Sequence, residues 1–271
     1  MNELSICAIF KDETPYLKEW IEYHKLVGVE HFYLYDNENE DLDFLTVLQP
    51  YINAGEVTLI HWKDQDKDRW INQSCAWVYT TQVTAYEHAI WLSTKKTKWI
   101  ACIDIDEFIV PVQENSILDI LAKHEKHTPG IEVLWDIFGT SDIDVIPPNQ
   151  LMIELMHKKS TEFIRPYSKK TILKPELYNG FFQPPHDCFY INELEAHEVS
   201  KNEMVINHYI NRCNDYLINV KIKNKIRMAN LTVTDDQIHN WIITGNDIED
   251  EKKTIHKFIP LLKEKMGFIH G

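Results

Sequence analysis

The stretch Trp99–Glu107, WIACIDIDE, carries five apolar residues into two aspartates that are separated by one isoleucine. A short apolar run of this kind is typical of a buried strand. Side chains two residues apart on an extended backbone point to the same side, so Asp104 and Asp106 are expected to face one ligand. Divalent cations such as Mg²⁺ and Mn²⁺ favour carboxylate oxygens and leave other positions to water and phosphate. The stretch therefore predicts a strand that ends at a cation site.

The spacing of these two aspartates is common in an acidic chain. Other pairs share it, and a solvated turn explains each of them: Asp41/Asp43, Asp64/Asp66, Asp66/Asp68 and Asp142/Asp144. Asp104 and Asp106 differ because an apolar run precedes them and because the upstream sequence is organised around strands.

The hundred residues before the aspartates alternate between strand and helix patterns. The predicted strands are Leu4–Phe10, Val29–Tyr35, Val57–Trp62 and Trp99–Ile103, and the predicted helices begin at Thr14 and cover Leu42–Ile52 and Trp70–Leu92. This alternation predicts an α/β fold with a doubly wound, mostly parallel sheet and helices on both faces. Each strand is followed by charged residues, and in such sheets the carboxyl ends of the strands line the ligand crevice.

The alternation of strand and helix patterns becomes irregular after Pro111. The predicted elements are a helix at Ser116–His127, strands at Ile131–Trp135 and Met204–Ile210, loops at Phe138–Pro148 and Tyr178–Asn192, and helices from Asn214 onward. Long loops on a rigid scaffold often carry ligand contacts.

Composition limits the ligands that the protein can bind. The formal charge of −14 argues against an extended nucleic-acid or anionic-membrane surface. The chain has 8 Gly and neither a GxGxxG nor a GxxxxGK[ST] phosphate loop, so a phosphate ligand must be met by a metal or by local cations. One segment offers such cations, as either a solvated basic face or a phosphate or membrane-proximal site: Lys158, Lys159, Arg165, Lys169, Lys170 and Lys174.

The cysteines and the N-terminus bear on the compartment. The 5 Cys are odd in number and form no CxxC pair, which predicts reduced thiols in a cytoplasmic protein. Residues 1–4 lack the features of a signal peptide, and no apolar stretch approaches the ~20 residues that span a bilayer. We therefore expect a protein that is soluble or at most peripheral to a membrane.

Four blocks of the sequence resemble a known family. Phe10–His24, His31–Asn37, Gln82–Tyr86 and Trp99–Phe108 are similar, in order and spacing, to blocks of glycosyltransferase family 92 and of the related family-2-like transferases of bacterial surface glycans. The resemblance implies a GT-A fold and the transfer of a hexose, often galactose, from a UDP-sugar to a glycan acceptor with inversion. It also implies Mn²⁺ or Mg²⁺ as cofactor and a role in surface polysaccharide or lipopolysaccharide synthesis.

The resemblance assigns roles to individual residues. It implies that Asp104 lies near the ribose and the metal and that Asp106 ligates the metal directly. His208 is the candidate for a third ligand, with His186 as its rival and a hydrogen-bonded core histidine as the alternative. The residues implied along the nucleotide pocket are Lys11, Glu13, Asp36 and Gln82. The expected domains are a catalytic domain at 1–210 and a helical C-terminal extension at 211–271.

Inversion requires a base that takes the proton from the acceptor hydroxyl. Asp142, in the loop after Trp135 and Phe138, is the first candidate and Glu107 is the second, while an ordinary loop acid or helix cap is the alternative for both. Trp135 and Phe138 are candidates for a sugar-stacking platform, with a place in the core as the alternative.

Two other functions would also explain an acidic pair at the end of a strand. One is a metal-dependent nucleotidyltransferase or phosphohydrolase, which would be expected to carry a glycine-rich phosphate loop or a denser His/Asp cluster. The other is a glycan-binding protein that has no catalytic activity.

Overall fold

The structure of this protein is a computed structural model, which describes residues 1–37, 42–63, 81–161, 168–183, 185–223, 226 and 233–268. Its strands are β1 (Asn2–Phe10), β2 (His31–Asp36), β3 (Val57–His61), β4 (Thr97–Cys102), β5 (Glu107–Pro111), β6 (Gly130–Ile137), β7 (Lys158–Lys159), β8 (Lys169–Leu173), β9 (Tyr178–Gln183), β10 (Asp187–Tyr190), β11 (His197–Glu198), β12 (Met204–His208) and β13 (Ile248–Glu249). Its α-helices are α1 (Thr14–Leu26), α2 (Asp43–Asn53), α3 (Thr81–Ser93), α4 (Ile117–His124), α5 (Met152–Leu155), α6 (Asn214–Tyr216), α7 (Asp235–Gly245) and α8 (Ile259–Met266).

The chain divides into two compact units. The first comprises residues 1–105, 111–134 and 167–205, and the second comprises residues 106–110, 135–166 and 206–271. Residues 106–110 and 135–166 thus group with the C-terminal residues 206–271, while the predicted domains at 1–210 and 211–271 stay a prediction.

The first unit is built on the four strands that the sequence predicts. β3, β2, β1 and β4 are neighbours in that order and pair in parallel. Phe10 pairs with Asp36 and Asp36 with His61, so these strands end at the same level. The α/β class and the mostly parallel sheet are confirmed.

Two elements of the first unit differ from the sequence prediction. β8 inserts antiparallel between β4 and β6, where the sequence indicates only a basic segment. Residues 178–190, predicted to be a loop, form the antiparallel hairpin β9–β10. Its alternation is hidden in the sequence, because Phe181 and Tyr190 are buried while Phe182 and Phe189 are exposed. The predicted helix Trp70–Leu92 is described from Thr81 onward, and its earlier part lies outside the described residues.

The second unit combines short strands with helices. Residues 135–137 of β6 pair in parallel with Ile206–His208 of β12, and β5 is the other neighbour of β12. The predicted C-terminal helices are present as α6, a π-helical segment at Leu217–Ile222, α7 and α8. None of the described helices is long and apolar enough to cross a membrane.

Candidate functional site

Asp104 lies just past β4 in the first unit and accepts hydrogen bonds from both sides. Asp104 Oδ1 accepts hydrogen bonds from Gln82 Nε2 and from the Tyr86 hydroxyl, whose oxygen lies 2.8 Å away. Lys170 Nζ lies 3.1 Å from Oδ2. Gln82 and Tyr86 are four residues apart on α3, so helical spacing brings both side chains to one carboxylate. Gln82 and Asp104, which the sequence both assigns to the nucleotide, are therefore in direct contact, and their role in nucleotide binding stays a prediction.

Lys170 is an unusual partner because its side chain is 1% exposed, whereas that of Asp104 is 33% exposed. Burying an ammonium group is costly unless it is paired and hydrogen-bonded. The Lys170 ammonium also lies 5.8 Å from the centre of the Tyr86 ring. The sequence places Lys170 in a basic segment, and the structure shows it as the buried counterion of Asp104.

The rest of that basic segment is held by acceptors rather than forming an open basic face. Within the described residues, the partners are Asp142 for Lys158, Asp136 and Asp250 for Lys159, Glu132 and Asp187 for Lys169, and the carbonyl oxygens of Glu125 and Thr128 for Lys174. Arg165 lies outside the described residues.

The remaining residues predicted along the nucleotide pocket lie at the ends of β1 and β2. Asp36 is 6% exposed and lies 2.8 Å from His61 Nδ1, at the level where β2 and β3 both end. Lys11 is exposed, and Glu13 precedes α1 as its N-terminal flanking residue. Parallel strands thus bring Asp36 and the segment after Phe10 to one edge of the sheet.

His186, the rival metal ligand, lies in the turn between β9 and β10. Its Nδ1 is 2.9 Å from the carbonyl oxygen of Lys169. Burial lowers the pKa of His186, and the charge of Lys170 lowers it further. The imidazole is therefore neutral at physiological pH and donates from Nδ1 to that carbonyl.

Asp106 lies in the second unit beside a histidine and two basic side chains. His208 Nε2 is 3.4 Å from Oδ1, and Lys221 Nζ is 3.7 Å from Oδ2. Burial raises the pKa of Asp106, but the charge and hydrogen bond of His208 and the charges of Lys221 and Arg212 together outweigh it. The pKa of Asp106 is thereby held well below its usual range. The carboxylate is ionised at any physiological pH.

Backbone hydrogen bonds fix the position of the strand segment that carries His208, and a second carboxylate lies near its ring. The Tyr209 amide donates to the carbonyl oxygen of Asp106 at 2.8 Å, and the Phe138 amide donates to the carbonyl oxygen of His208 at 2.9 Å. Glu107 is fully buried, and its carboxylate lies 3.9 Å from His208 Nδ1. A carboxylate behind a histidine whose other nitrogen faces a ligand is a common arrangement at metal sites.

The side chains around Asp106 include ligand types that a divalent cation accepts. Within the described residues, no group of three or more His, Cys, Asp or Glu side chains is arranged to hold a metal ion. Asp106 and His208 nevertheless present a carboxylate oxygen and an imidazole nitrogen 3.4 Å apart, with a carboxylate behind the imidazole. Cations of the Mg²⁺ type are bound through one or two protein ligands plus substrate phosphates and water. The two side chains fit a cation of that kind.

Asp142, the first candidate base, lies in a tightly held loop. Ser141 and Asp142 both adopt left-handed backbone conformations, with φ of 52° and 60°. Asn246 accepts a hydrogen bond from the Ser141 amide at 2.8 Å and donates to Asp142 Oδ1 at 3.0 Å. Lys158 Nζ lies 2.5 Å from Asp142 Oδ2, and its hydrogen bond lowers the pKa of Asp142. The side chain of Asp142 is 60% exposed, so acceptor hydroxyls can reach it.

The two aromatic residues before this loop have different environments. Phe138 is 1% exposed and packs against Tyr209 with ring centroids 4.7 Å apart, which places it in the core. Trp135 is half-buried, and its ring centroid lies 4.6 Å from that of His208.

Sequence reasoning missed Tyr86, Lys221, Arg212 and Asn246. Tyr86 could have been found from its helical spacing to Gln82. Arg212 has φ of 49° and is fully buried, stacked 4.4 Å from the Tyr216 ring, and no local pattern signals that position.

Similarity to known proteins extends over most of the chain. The sequence profile described as glycosyltransferase family 92 matches residues 3–251. A glycosyltransferase family 92 protein of Ricinus communis is 26% identical over 215 residues, which cover 77% of this chain and 35% of that protein. Galactan beta-1,4-galactosyltransferase GALS3 of Arabidopsis thaliana is 31% identical over 118 residues, which cover 41% of this chain and 22% of that protein. The chain thus spans about a third of the length of the first of these relatives.

Among solved structures, the galactosyltransferase LgtC in complex with donor and acceptor sugar analogs is similar with a TM-score of 0.34 and 10% identity. The match covers 64% of this chain and 58% of that chain.

Proposed function

Because this chain belongs to glycosyltransferase family 92, we propose that it transfers a hexose from a UDP-sugar to a glycan acceptor, with inversion and with Mn²⁺ or Mg²⁺ as cofactor. Galactose is the favoured sugar, since a galactan galactosyltransferase is among the similar proteins. The acceptor is a glycan of a surface polysaccharide or lipopolysaccharide.

The pairing of Asp106 with His208 carries the proposed metal dependence. Asp106 stays ionised, the Glu107 carboxylate lies 3.9 Å from the other nitrogen of His208, and Asp106 and His208 present their ligand atoms 3.4 Å apart. A bound cation would neutralise the charge that develops on the leaving diphosphate. Lys221 and Arg212 add positive potential around Asp106 and thereby favour an anion there.

The Asp104 group is assigned to the nucleotide. Asp104 is held between Gln82, Tyr86 and the buried Lys170, and a carboxylate fixed in this way can accept hydrogen bonds from ribose hydroxyls. Lys11, Glu13 and Asp36 lie at the strand ends of the same unit, and we assign them to the same pocket.

In the proposed transfer, the acceptor oxygen forms a bond to the anomeric carbon as the bond from that carbon to the diphosphate oxygen breaks. The acceptor proton passes to Asp142, whose carboxylate is ionised, exposed and held in place by Asn246. Burial removes Glu107 from contact with an acceptor and favours its role in orienting His208.

The test is the release of UDP from UDP-galactose with Mn²⁺, measured for the native chain, for Asp106→Asn and for Asp119→Asn. Asp119 is an exposed aspartate on α4 and serves as the matched control. We expect Asp106→Asn to lose at least 100-fold in turnover and Asp119→Asn to keep native activity. Binding of UDP is measured in parallel with and without Mn²⁺. If the native chain neither binds UDP with Mn²⁺ nor releases it from any UDP-hexose, the proposal fails. If it binds UDP but every variant turns over equally, the metal site fails.

A further inference from the structure

The hairpin β9–β10 of the first unit borders a cavity of about 580 Å³ that has no part in the proposed chemistry. Ligand pockets usually have volumes of about 300–1,000 Å³ and combine apolar walls with a few polar groups. This cavity has both, since Phe182 and Phe189 line it together with several carboxylates and the amide of Asn179.

The two phenylalanines lie on the outer face of the hairpin. Phe182 is 56% exposed and Phe189 is 46% exposed, and their ring centroids are 5.1 Å apart. The inner face holds Phe181 and Tyr190, which are buried in the core of the unit. An antiparallel hairpin that is packed on one side normally exposes polar side chains on the other. A pair of exposed phenyl rings beside a cavity therefore indicates a surface for a ligand with apolar C–H groups.

The charge of the cavity wall restricts the ligand. Its carboxylates are those of Glu132, Asp187, Glu193 and Glu195, and its cation is Lys169. The Lys169 ammonium lies 2.8 Å from Glu132 and 2.9 Å from Asp187, so its charge is matched within the wall. The wall is net negative and repels a nucleotide diphosphate or an acidic polysaccharide. Ionised carboxylates only accept hydrogen bonds, so they suit a ligand that is rich in hydroxyl donors.

We propose that this cavity binds a neutral hexose oligosaccharide, as the part of the acceptor glycan that lies beyond the sugar receiving the transfer. Hydroxyl groups donate to the carboxylates, and the C–H face of a sugar ring covers the phenyl rings, whose faces carry partial negative charge. The identification of the oligosaccharide as the acceptor rests on the proposed function.

The cavity and the Asp104 group are connected through one strand. Lys169 reaches the cavity wall and Lys170 reaches Asp104, and the two residues are consecutive in β8. Consecutive residues of a strand project to opposite faces, so these two side chains mark the two sides of β8. His186, in the turn of the hairpin, bonds the backbone of Lys169. The charges of Lys170 and Asp104 both act on His186, so the turn of the hairpin lies within range of the residues that we assign to the donor nucleotide, and an extended glycan in the cavity can continue along the hairpin toward them.

The experiment uses an array of neutral hexose oligosaccharides and oligogalacturonates, followed by titration of the strongest neutral binder into the full chain. We expect neutral binders and no acidic ones. Phe182→Ala and Phe189→Ala should each raise Kd at least 10-fold, while Phe182→Trp keeps the affinity. Leu261→Ala on α8 removes another exposed apolar side chain, 54% exposed, and should leave Kd unchanged. Both phenylalanines are exposed, so thermal unfolding should be native in every variant.

Turnover separates this inference from the proposed function. Phe182→Ala should raise KM for the acceptor and leave unchanged both KM for the donor and the slow release of UDP without acceptor. The inference is overturned if no neutral oligosaccharide binds the native chain, if an acidic one binds better, or if Phe182→Ala and Phe189→Ala bind as the native chain does. A native chain that binds the oligosaccharide through these phenylalanines but releases no UDP would overturn the proposed function and leave a glycan site.

Discussion

Replacing Gly139 with alanine should strongly destabilise the second unit. Gly139 opens the loop that carries Asp142, and a Cβ at this position would lie 2.2 Å from the carbonyl oxygen of Gly245 and 2.2 Å from Oδ1 of Asn246. Close C···O contacts in proteins are normally about 3.3–3.6 Å. The end of α7 and the Asn246 side chain would each have to move by about 1 Å, since a contact of 2.2 Å is not tolerated.

The displacement of Asn246 determines much of the expected loss of stability. Its carboxamide makes hydrogen bonds with the Ser141 amide at 2.8 Å, the Thr140 hydroxyl at 3.2 Å and Asp142 Oδ1 at 3.0 Å. A net contribution of about 0.5–1.5 kcal/mol for each bond gives about 1.5–4.5 kcal/mol for the set. Overpacking adds about 1–3 kcal/mol. We expect Gly139→Ala to lower the free energy of unfolding by about 2.5–7.5 kcal/mol, the sum of the two contributions.

Gly245→Ala provides the matched control. A Cβ at Gly245 would lie 3.2 Å from Asn211 Nδ2, which the amide end of that side chain relieves by a small shift, and 3.4 Å from Gly139 Cα, an ordinary contact. Alanine also favours a helix over glycine by about 1 kcal/mol. The assay is urea unfolding of the native chain, Gly139→Ala and Gly245→Ala. The free energy of unfolding of Gly245→Ala should stay within about 1 kcal/mol of the native value. The reasoning is refuted if Gly139→Ala is as stable as the native chain, or if the two variants lose the same amount.

Three further predictions concern single carboxylates. Glu107→Gln should weaken Mn²⁺ binding about 10–100-fold, because it removes the negative charge behind His208. Titration with Mn²⁺ measures the affinity, and an unchanged value would exclude a role of Glu107 in positioning His208. Asp142→Asn should lower kcat about 10²–10⁴-fold with little change in KM for the donor, as steady-state kinetics would measure. An unchanged kcat would exclude Asp142 as the base. Burial raises the pKa of Glu87 to about 7, so the folded protein keeps a proton that the unfolded chain releases above pH 4.5. The contribution of Glu87 to stability is therefore full below pH 4.5 and is lost as the pH rises through 7; urea unfolding at several pH values should show this loss in the native chain and not in Glu87→Gln.

The parallel part of the fold follows directly from the sequence. β1 to β4 are short apolar runs separated by helical patterns, and local periodicity is enough to identify them. β8 could not be found in this way, since it begins with Lys169 and Lys170 and its burial depends on counterions from distant segments. The hairpin β9–β10 is similar, because two exposed phenylalanines on its outer face remove the alternation of apolar and polar residues that marks a strand.

Sequence reasoning identified the site residues that belong to a recognisable motif. It missed the residues that reach the site only through tertiary contacts. Asp104 and Gln82 are brought together in the structure, and so are Asp106 and His208. Their cationic partners depend on which side chains the fold brings beside them, and sequence spacing does not encode that. Arg212 illustrates this, because an exposed basic residue and a fully buried one look the same in a sequence.

The buried cations explain how so acidic a chain could accept a nucleotide diphosphate. With a formal charge of −14, the protein as a whole repels an anion. Lys170 in the first unit is 1% exposed, and Arg212 in the second is 0% exposed, although taking such charges out of water costs several kcal/mol each. An exposed lysine would be screened by salt and solvent, whereas a buried one acts through a low dielectric and keeps its effect over several ångströms. Local positive potential fixed beside Asp104 and beside Asp106 is therefore the feature that would let these carboxylates serve the proposed anionic donor.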